Sequence, residues 1–176
     1  MKIDQNSDIL AHESTLKELR TAVLNTVSVL RDKKLTVGFA ESCTGGLLSS
    51  CFTELAGVSD VFMGSVISYD NKVKQKFLKV SEEQLKTFGA VSSVVAKQMS
   101  EEAQRSLDVK VAIAITGVAG PSGGTPQKPV GTVFIAVAGL QSETKVFEHH
   151  FSGDRKLIQL QTCIESVKHL NEFINK

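Results

Sequence analysis

A serine stands where a short apolar run gives way to a helical pattern. Residues 35–40 predict a buried strand, and Glu41-Ser42-Cys43-Thr44-Gly45-Gly46 separates it from a predicted helix over residues 47–55. The first amides of such a helix lack partners, and glycines let a ligand approach the backbone closely. This junction therefore favours binding of an anion or an oxyanion, with Ser42 as a nucleophile if a base takes its proton.

Two other interpretations of this junction stay open at the level of local sequence. Ser42 and Thr44 could simply cap the helix, which explains the pattern equally well. Cys43 is a rival nucleophile because a helix N-terminus can lower the pKa of a thiol, although a small buried residue is the more common role. The segment does not match the G-x-S-x-G nucleophile elbow, and no S-x-x-K follows Ser42.

The missing base could be a lysine. Tyr69 ends a predicted strand and is followed by Asp70-Asn71-Lys72-Val73-Lys74-Gln75-Lys76-Phe77, a predicted helix. A buried lysine with a lowered pKa can accept a proton near neutral pH. At helical spacing Lys72 lies furthest from the Val73/Phe77 face, while Lys74 and Lys76 flank that face equally. Geometry alone therefore leaves Lys74 and Lys76 open.

The histidines and cysteines predict no metal site and no disulfide. His149 and His150 are adjacent on a predicted strand, so alternation sends them to opposite faces, and no third ligand follows at a metal-like spacing. The three cysteines, Cys43, Cys51 and Cys163, form no CxxC pair. An odd number of free thiols indicates a reducing cytoplasm.

A second candidate binding element is the loop Thr116-Gly117-Val118-Ala119-Gly120-Pro121-Ser122-Gly123-Gly124. It follows a predicted central strand, and its backbone amides could hold a phosphate or a ribose. It matches neither the P-loop nor the G-x-G-x-x-G pattern, so its ligand is not defined by the motif alone.

Apolar periodicity places these residues on alternating helices and strands. Helices are predicted over residues 15–33, 47–55, 71–78, from 81, over 93–107 and over 155–174, and strands over 35–40, 62–69, 109–116, 130–138 and 144–151. The last two strands should form a hairpin separated by residues 139–143. The predicted fold is an α/β protein, a layered α/β/α sandwich with a mixed, mostly parallel sheet.

Length and charge limit the classes of function. A chain of 176 residues is typical of one domain, predicted over residues 15–176 after a flexible, polar lead-in over residues 1–14. The net charge of +1 predicts no nucleic-acid partner and no attraction to an acidic membrane. The longest charge-free stretch, residues 111–127, contains glycines and a proline, so no membrane span is predicted.

Several separated motifs resemble the C-terminal domain of the CinA family. They are Ala40-Glu41-Ser42-Cys43-Thr44-Gly45-Gly46, Tyr69-x-Asn71-x-x-Lys74, Gly89-Ala90-Val91-Ser92, Thr116-Gly117-x-Ala119-Gly120-Pro121, Lys128-Pro129-Val130-Gly131-Thr132-Val133 and Ser152-Gly153-Asp154-Arg155. They occur in the family's order from about residue 16 to the last helix. Larger members carry an additional N-terminal domain, and this sequence looks like the stand-alone form.

The resemblance implies a function and a set of catalytic residues. Stand-alone members are nicotinamide-nucleotide amidases, which convert nicotinamide mononucleotide to nicotinate mononucleotide and ammonia without a metal or cofactor. The family's serine, tyrosine and lysine correspond to Ser42, Tyr69 and Lys74, and this favours Lys74 over Lys76. The implied substrate and oxyanion contacts are Cys43, Thr44, Gly45, Gly46, Asn71, Thr116, Gly117, Gly120 and Arg155.

Some points stay open beside this resemblance. Arg155 could meet the substrate phosphate or pair with Asp154. Asp70, which departs from the family pattern, would raise the pKa of a nearby lysine if it pointed inward. A binding module that holds a pyridine nucleotide without turnover, and an amidase for another small carboxamide, are the alternative functions. The sequence also leaves homo-oligomer formation open.

Overall fold

The structure, a computed structural model, describes the backbone of residues 5–176 and the side chains from residue 8 onward. This part of the chain contains six α-helices, one short 3-10 helix (Val58–Asp60) and five strands. The helices are α1 (Gln5–Asp32), α2 (Leu47–Thr53), α3 (Asn71–Leu78), α4 (Glu82–Phe88), α5 (Ser93–Ser106) and α6 (Arg155–Ile174), and the strands are β1 (Val37–Glu41), β2 (Phe62–Ile67), β3 (Val111–Gly117), β4 (Thr132–Gly139) and β5 (Ser142–His150).

The five strands of this described part form one sheet in the order β2-β1-β3-β4-β5. Strand β1 is parallel to both β2 and β3, whereas β4 is antiparallel to β3 and to β5. Four of the strands, β1, β2, β3 and β5, therefore point in the same direction. This confirms the predicted mixed, mostly parallel sheet with β3 at its centre.

Helices cover both faces of the sheet, which confirms the layered α/β/α prediction. On β3 the larger side chains Val111, Ile113 and Ile115 pack in one core with α1, α2 and α6. The alanines between them, Ala112 and Ala114, pack in a second core against α5. Small residues let α5 approach the sheet closely, and a Cβ at Gly38 would lie 2.6 Å from Leu107 Cδ1.

Helix α1 begins at Gln5, well before the predicted start at residue 15. Residues 5–14, expected as a flexible lead-in, are therefore helical, and residues 1–4 of that segment lie outside the described residues. The periodicity fails here because this part of the helix adds little to the core: Ile9 and Leu10 are 53% and 65% exposed. Extending a formed helix costs little, and His12 Nε2 contacts Asp154 Oδ1 at 2.9 Å.

The hairpin between β4 and β5 is tighter than predicted. Leu140 and Gln141 have φ values of 53° and 55° and form a two-residue turn, so β5 begins at Ser142. Positive φ at both central positions matches the twist of the flanking strands. The expectation of a loop over residues 139–143 is wrong because no glycine or asparagine marks the turn at these two positions.

No helix of the described residues combines the length and the apolar character that crossing a bilayer requires.

Candidate active site

The cleft that holds the predicted site lies at the carboxyl ends of the three parallel strands at one side of the sheet. Ser42 follows β1, Tyr69 lies just beyond β2, and Gly117 ends β3. The carboxyl ends of parallel strands share one edge of a sheet, where ligands commonly bind. The cleft has a volume of about 280 Å³ and is lined by Ser42, Cys43, Tyr69, Asn71, Lys74, Ala90, Val91, Thr116, Gly117, Val118, Ala119, Gly120, Ser122, Gly123 and Arg155.

Ser42 and Lys74 form a hydrogen bond in this cleft. Lys74 Nζ lies 2.9 Å from Ser42 Oγ, although the residues are far apart in sequence. The Ser42 amide donates to the carbonyl of Ile115 on β3 at 3.0 Å, which anchors the serine to the central strand. A serine hydroxyl within hydrogen-bond reach of an amine is the arrangement that nucleophile activation requires.

Lys74 is a buried amine with few compensating groups. Its side chain is 1% exposed, and Nζ also donates to the carbonyl oxygen of Ser68. Burial lowers the pKa of Lys74 from 10.5 to about 8, and nearby Cys43 and Asp70 oppose this shift by favouring the charged form. Part of this amine is therefore neutral near physiological pH and able to accept a proton.

The buried face of α3 differs from the predicted one. Phe77, expected on the apolar face with Val73, is 52% exposed, and the Lys76 ammonium lies 5.2 Å from the centre of its ring. Lys74 and Leu78, four residues apart, are buried instead. Hydrophobicity alone misplaces the buried face of α3. Two polar partners offset the cost of burying the Lys74 amine, so this lysine takes a position that an apolar side chain would otherwise fill.

Asp70 does not point a carboxylate at the lysine as a hydrogen-bond partner. Its side chain accepts a hydrogen bond from the Lys72 amide at 2.7 Å and so caps the N-terminus of α3. It raises the pKa of Lys74 electrostatically, as the sequence suggested, but burial outweighs this effect and the pKa is lowered. Asp70 therefore fixes the start of the helix that carries Lys74.

Glu41 organises the turn after Ser42, a role that the sequence analysis missed. Its side chain is fully buried, and its carboxyl oxygens accept hydrogen bonds from the amides of Gly46 (3.0 Å), Leu48 (3.2 Å) and Ser49 (2.9 Å) and from Ser49 Oγ. These amides are the unpaired donors at the start of α2. An acidic residue at the end of a strand, a few residues before a helix, is the signal that could have revealed this cap.

Gly45 and Gly46 do not donate into the cleft. The Gly45 amide donates to Ser42 O at 3.1 Å, and the Gly46 amide is taken by Glu41. Their φ values of 63° and 97° show that they serve the turn, because this region favours glycine. Within the described residues, the amides of Cys43 and Thr44 make no hydrogen bond, so these two remain the candidate oxyanion donors.

The side chains of Cys43 and Thr44 are buried in the turn between β1 and α2. Burial raises the pKa of the Cys43 thiol to about 12, so its thiolate is disfavoured. The Cys43 carbonyl accepts a hydrogen bond from Gln159 Nε2 on α6 at 2.8 Å, a contact that the sequence did not suggest. The Thr44 side chain is 3% exposed, its hydroxyl has no partner among the described residues, and it does not cap α2 as one interpretation proposed.

Arg155 links two other sides of the cleft. One guanidinium nitrogen donates to Gly120 O at 2.7 Å and another to Tyr69 Oη at 3.0 Å. Asp154 instead caps α6 by accepting from the Leu157 amide at 2.8 Å, so the suggested pairing of Asp154 with Arg155 is not formed. Arg155 has no carboxylate partner within the described part of the chain, which leaves a positive charge beside the cleft.

The remaining predicted contacts lie on the rim and the floor. Asn71 is exposed at the first residue of α3, and Tyr69 is 64% exposed. Thr116 is buried and donates from Oγ1 to Ala90 O at 2.8 Å, which joins the end of β3 to the segment before α5. The glycine-rich loop contributes Gly117 and Gly120 to the lining, as expected for a binding loop.

The histidines lie away from this cleft. His149 and His150 do face opposite sides of β5: His149 Nε2 contacts His169 Nε2 at 2.9 Å, and His150 contacts Thr132 and Glu148. No third ligand follows His149 at a metal-like spacing along the chain, but in space Glu165 and His169 of α6 lie close to it. Spacing along the chain could not reveal this group, since its members come from two elements.

Comparison with known proteins assigns the chain to a family. A family model described as the CinA C-terminal domain matches residues 19–174. A CinA-like protein of Thermotoga sp. (strain RQ2) is 40% identical over 148 residues, covering 84% of this chain and 36% of that protein. A CinA-like protein of Leptospira interrogans is 52% identical over 127 residues, covering 72% of this chain and 30% of that protein. The chain thus spans about a third of the length of these curated relatives.

Solved structures show the same fold. The competence/damage inducible protein CihA from Agrobacterium tumefaciens has a TM-score of 0.87 and 34% identity, over 90% of this chain and 96% of that one. A competence-damaged protein (CinA) superfamily member from Escherichia coli has a TM-score of 0.84 and 29% identity, over 88% and 90%. With the family model matching nearly all of the described domain, this chain belongs to the CinA family and corresponds to its C-terminal domain.

Proposed function

We propose that this protein hydrolyses the carboxamide of nicotinamide mononucleotide to nicotinate mononucleotide and ammonia, with Ser42 as the nucleophile. The observation that carries the proposal is the 2.9 Å hydrogen bond between Lys74 Nζ and Ser42 Oγ inside a cleft. A neutral amine beside a serine hydroxyl supports acyl transfer. The resemblance to nicotinamide-nucleotide amidases supports this choice of substrate.

The first half of the reaction forms an ester. Ser42 Oγ attacks the amide carbon while neutral Lys74 accepts the hydroxyl proton. The negative charge that develops on the amide oxygen is stabilised by the free amides of Cys43 and Thr44, if the substrate places that oxygen against them. Collapse breaks the carbon–nitrogen bond, and the protonated Lys74 returns its proton to the leaving nitrogen, which departs as ammonia.

The second half removes the acyl group. A water molecule attacks the ester carbon and gives its proton to Lys74, and Ser42 leaves with a proton from the same lysine. Tyr69 Oη accepts a hydrogen bond from Arg155, so its own proton is free to be donated towards the cleft. In the first half of the reaction Tyr69 can therefore relay to the leaving nitrogen the single proton that Lys74 returns.

Arg155 is the group best suited to the substrate phosphate. Its charge is not balanced by a carboxylate of the described residues, and among these residues its guanidinium makes two hydrogen bonds, to Gly120 O and Tyr69 Oη. A guanidinium has five N–H donors that fit phosphate oxygens. Arg155 also lines an adjoining cleft of about 420 Å³, which provides further room beyond Ser42 for the rest of a nucleotide.

The test is ammonia release by the purified full chain. Nicotinamide mononucleotide, nicotinamide riboside and free nicotinamide are compared, with the acid product measured by chromatography. We expect Ser42→Ala to abolish turnover of the nucleotide and the adjacent Cys43→Ala to retain most of it. Arg155→Ala should raise KM for the phosphorylated substrate about tenfold or more, with little change for the riboside.

Three results would overturn parts of this proposal. Tight binding of the nucleotide without ammonia release would indicate the binding module instead. Release from another carboxamide only would change the substrate and keep the catalytic residues. An inactive Cys43→Ala with an active Ser42→Ala would show that the nucleophile is misassigned.

A further inference from the structure

A second cluster of chemically capable side chains lies between the edge strand β5 and helix α6. It consists of His149 on β5 and Glu165 and His169 on α6, whose ligand atoms all lie within 4.8 Å of one another. Glu165 and His169 are four residues apart, which places them on one face of the helix. This cluster contains no residue of the Ser42 cleft.

The two imidazoles face each other through the atoms that metals use. His149 Nε2 and His169 Nε2 are 2.9 Å apart. Around a tetrahedral zinc ion, with Zn–N bonds of about 2.0–2.1 Å, two such nitrogens lie about 3.3 Å apart. A shift of a few tenths of an ångström would therefore turn this hydrogen bond into a pair of metal ligands.

The outer contacts of the cluster orient His169 for this role. His169 Nδ1 lies 3.2 Å from Glu172 Oε2, and the tautomer that donates Nδ1–H to this carboxylate leaves the Nε2 lone pair directed at His149. A carboxylate on the second nitrogen of a ligating histidine is a regular feature of protein metal sites. Lys168 contacts one oxygen of Glu165 at 2.7 Å, and the carboxylate has a second oxygen for an ion.

Aromatic rings hold both histidines in place. Phe147 stacks on His169 with ring centres 3.6 Å apart, and Phe151 stacks on His149 with centres 5.1 Å apart. The His169 side chain is 12% exposed and that of Glu165 is 27% exposed. Glu165 also lines a surface cleft of about 290 Å³ beside α1, which offers an entry path and space for a water ligand.

We propose that His149, Glu165 and His169 bind a zinc ion that joins the edge strand β5 to helix α6. Two imidazole nitrogens and a carboxylate oxygen, with a water in the fourth position, form a regular set of ligands for Zn²⁺. Because the cluster is separate from Ser42 and Lys74, this ion stabilises the fold and takes no part in amide hydrolysis.

The experiment is a titration of the tag-free full chain with Zn²⁺ after treatment with a chelator. Calorimetry should give one Zn²⁺ per chain with a micromolar or lower Kd, and the Tm should rise by several degrees at saturating Zn²⁺. Mg²⁺, which prefers oxygen ligands, should have no effect. Co²⁺ in place of Zn²⁺ should give the visible absorption of a tetrahedral site.

Matched variants separate this site from adventitious binding. His149→Ala should abolish binding, and Glu165→Gln, at a partly exposed position that should not disturb folding, should weaken it at least tenfold. His150→Ala is the control, because this neighbouring histidine faces the other side of β5. The proposal is wrong if the wild type binds no tighter than Glu165→Gln, or if His150→Ala weakens binding as much as His149→Ala. Neither result depends on nucleotide turnover.

Discussion

Two buried ionisable side chains, Glu41 and Lys74, are hydrogen-bonded to different parts of the Ser42 junction. Glu41 is bonded to the turn after Ser42 and Lys74 to Ser42 itself, and their surroundings differ. The Glu41 carboxyl group accepts hydrogen bonds from three amides at the start of α2 and from Ser49 Oγ. The Lys74 amine has two neutral acceptors, Ser42 Oγ and Ser68 O, and its pKa is lowered to about 8.

This difference separates a structural group from a reactive one. A buried polar group whose partners are all supplied by the protein holds a local structure in place. A buried amine with few partners is easily deprotonated, and such perturbed groups are concentrated at functional sites. Glu41 shapes the turn that presents Ser42, and Lys74 is the group that we propose to move a proton.

The largest effect on catalysis should come from substituting Lys74, the proposed base. Lys74→Met keeps an apolar side chain of similar length and should lower kcat for amide hydrolysis about 10³-fold, because it removes the base. The same substitution should leave folding intact, since it replaces a poorly compensated buried amine. Steady-state kinetics and circular dichroism measure the two effects.

Exposed lysines of the same helix are the controls for this variant. Lys72→Ala and Lys76→Ala should remain within a few-fold of the wild type, because both side chains are exposed on α3. Near-normal turnover by Lys74→Met would remove the lysine from the mechanism.

Substitution of Glu41, the structural group, should lower the stability of the fold more than it lowers the catalytic rate. Glu41→Gln should lower the free energy of unfolding by roughly 3 kcal/mol, because the NH2 group of glutamine replaces one of the two accepting oxygens and leaves amides of α2 facing another donor. Urea denaturation measures this loss. Glu54→Gln at the other end of α2 is the control, since its exposed pair with Arg20 is screened by water and should contribute much less. Equal losses in the two variants would contradict the role assigned to Glu41.

The pH dependence of stability should reveal the buried amine directly. Well below pH 8 Lys74 is protonated in both the folded and unfolded states, and the cost of burying its charge is fully present. Between about 8 and 10.5 the unfolded chain keeps a proton that the folded chain has lost, so stability rises with pH. Relative to Lys74→Met, the wild type should gain up to about 3 kcal/mol over this range. A constant difference between the two proteins would show that the pKa of Lys74 is not lowered.

The smallest effect is expected for the neighbouring thiol. Cys43→Ala should change kcat/KM by no more than a few-fold, because burial raises the pKa of this thiol to about 12 and leaves no nucleophilic thiolate. Cys51→Ala, another buried cysteine, is the matched control for loss of packing. A loss of activity specific to Cys43→Ala would make the thiol part of the mechanism.

Local sequence patterns predicted most of the architecture. Apolar periodicity predicted a central strand over residues 109–116, and β3 is the centre of the sheet with both faces buried. The helix ending at residue 174 and the helix that begins near residue 81 were also predicted. These features depend on residues that are close together in sequence, so local sequence patterns are enough to predict them.

The sequence by itself thus determined the fold class, the family and the Ser42 junction, all of which rest on local patterns and motifs. Only the tertiary structure distinguished Lys74 from Lys76 by geometry, because the buried face of α3 depends on what β1 and β2 place beneath it. It alone assigned the Gly46 amide to Glu41 and grouped His149 with Glu165 and His169. Such contacts join residues that are distant in sequence or depend on side-chain direction, and periodicity along the chain carries no information about either.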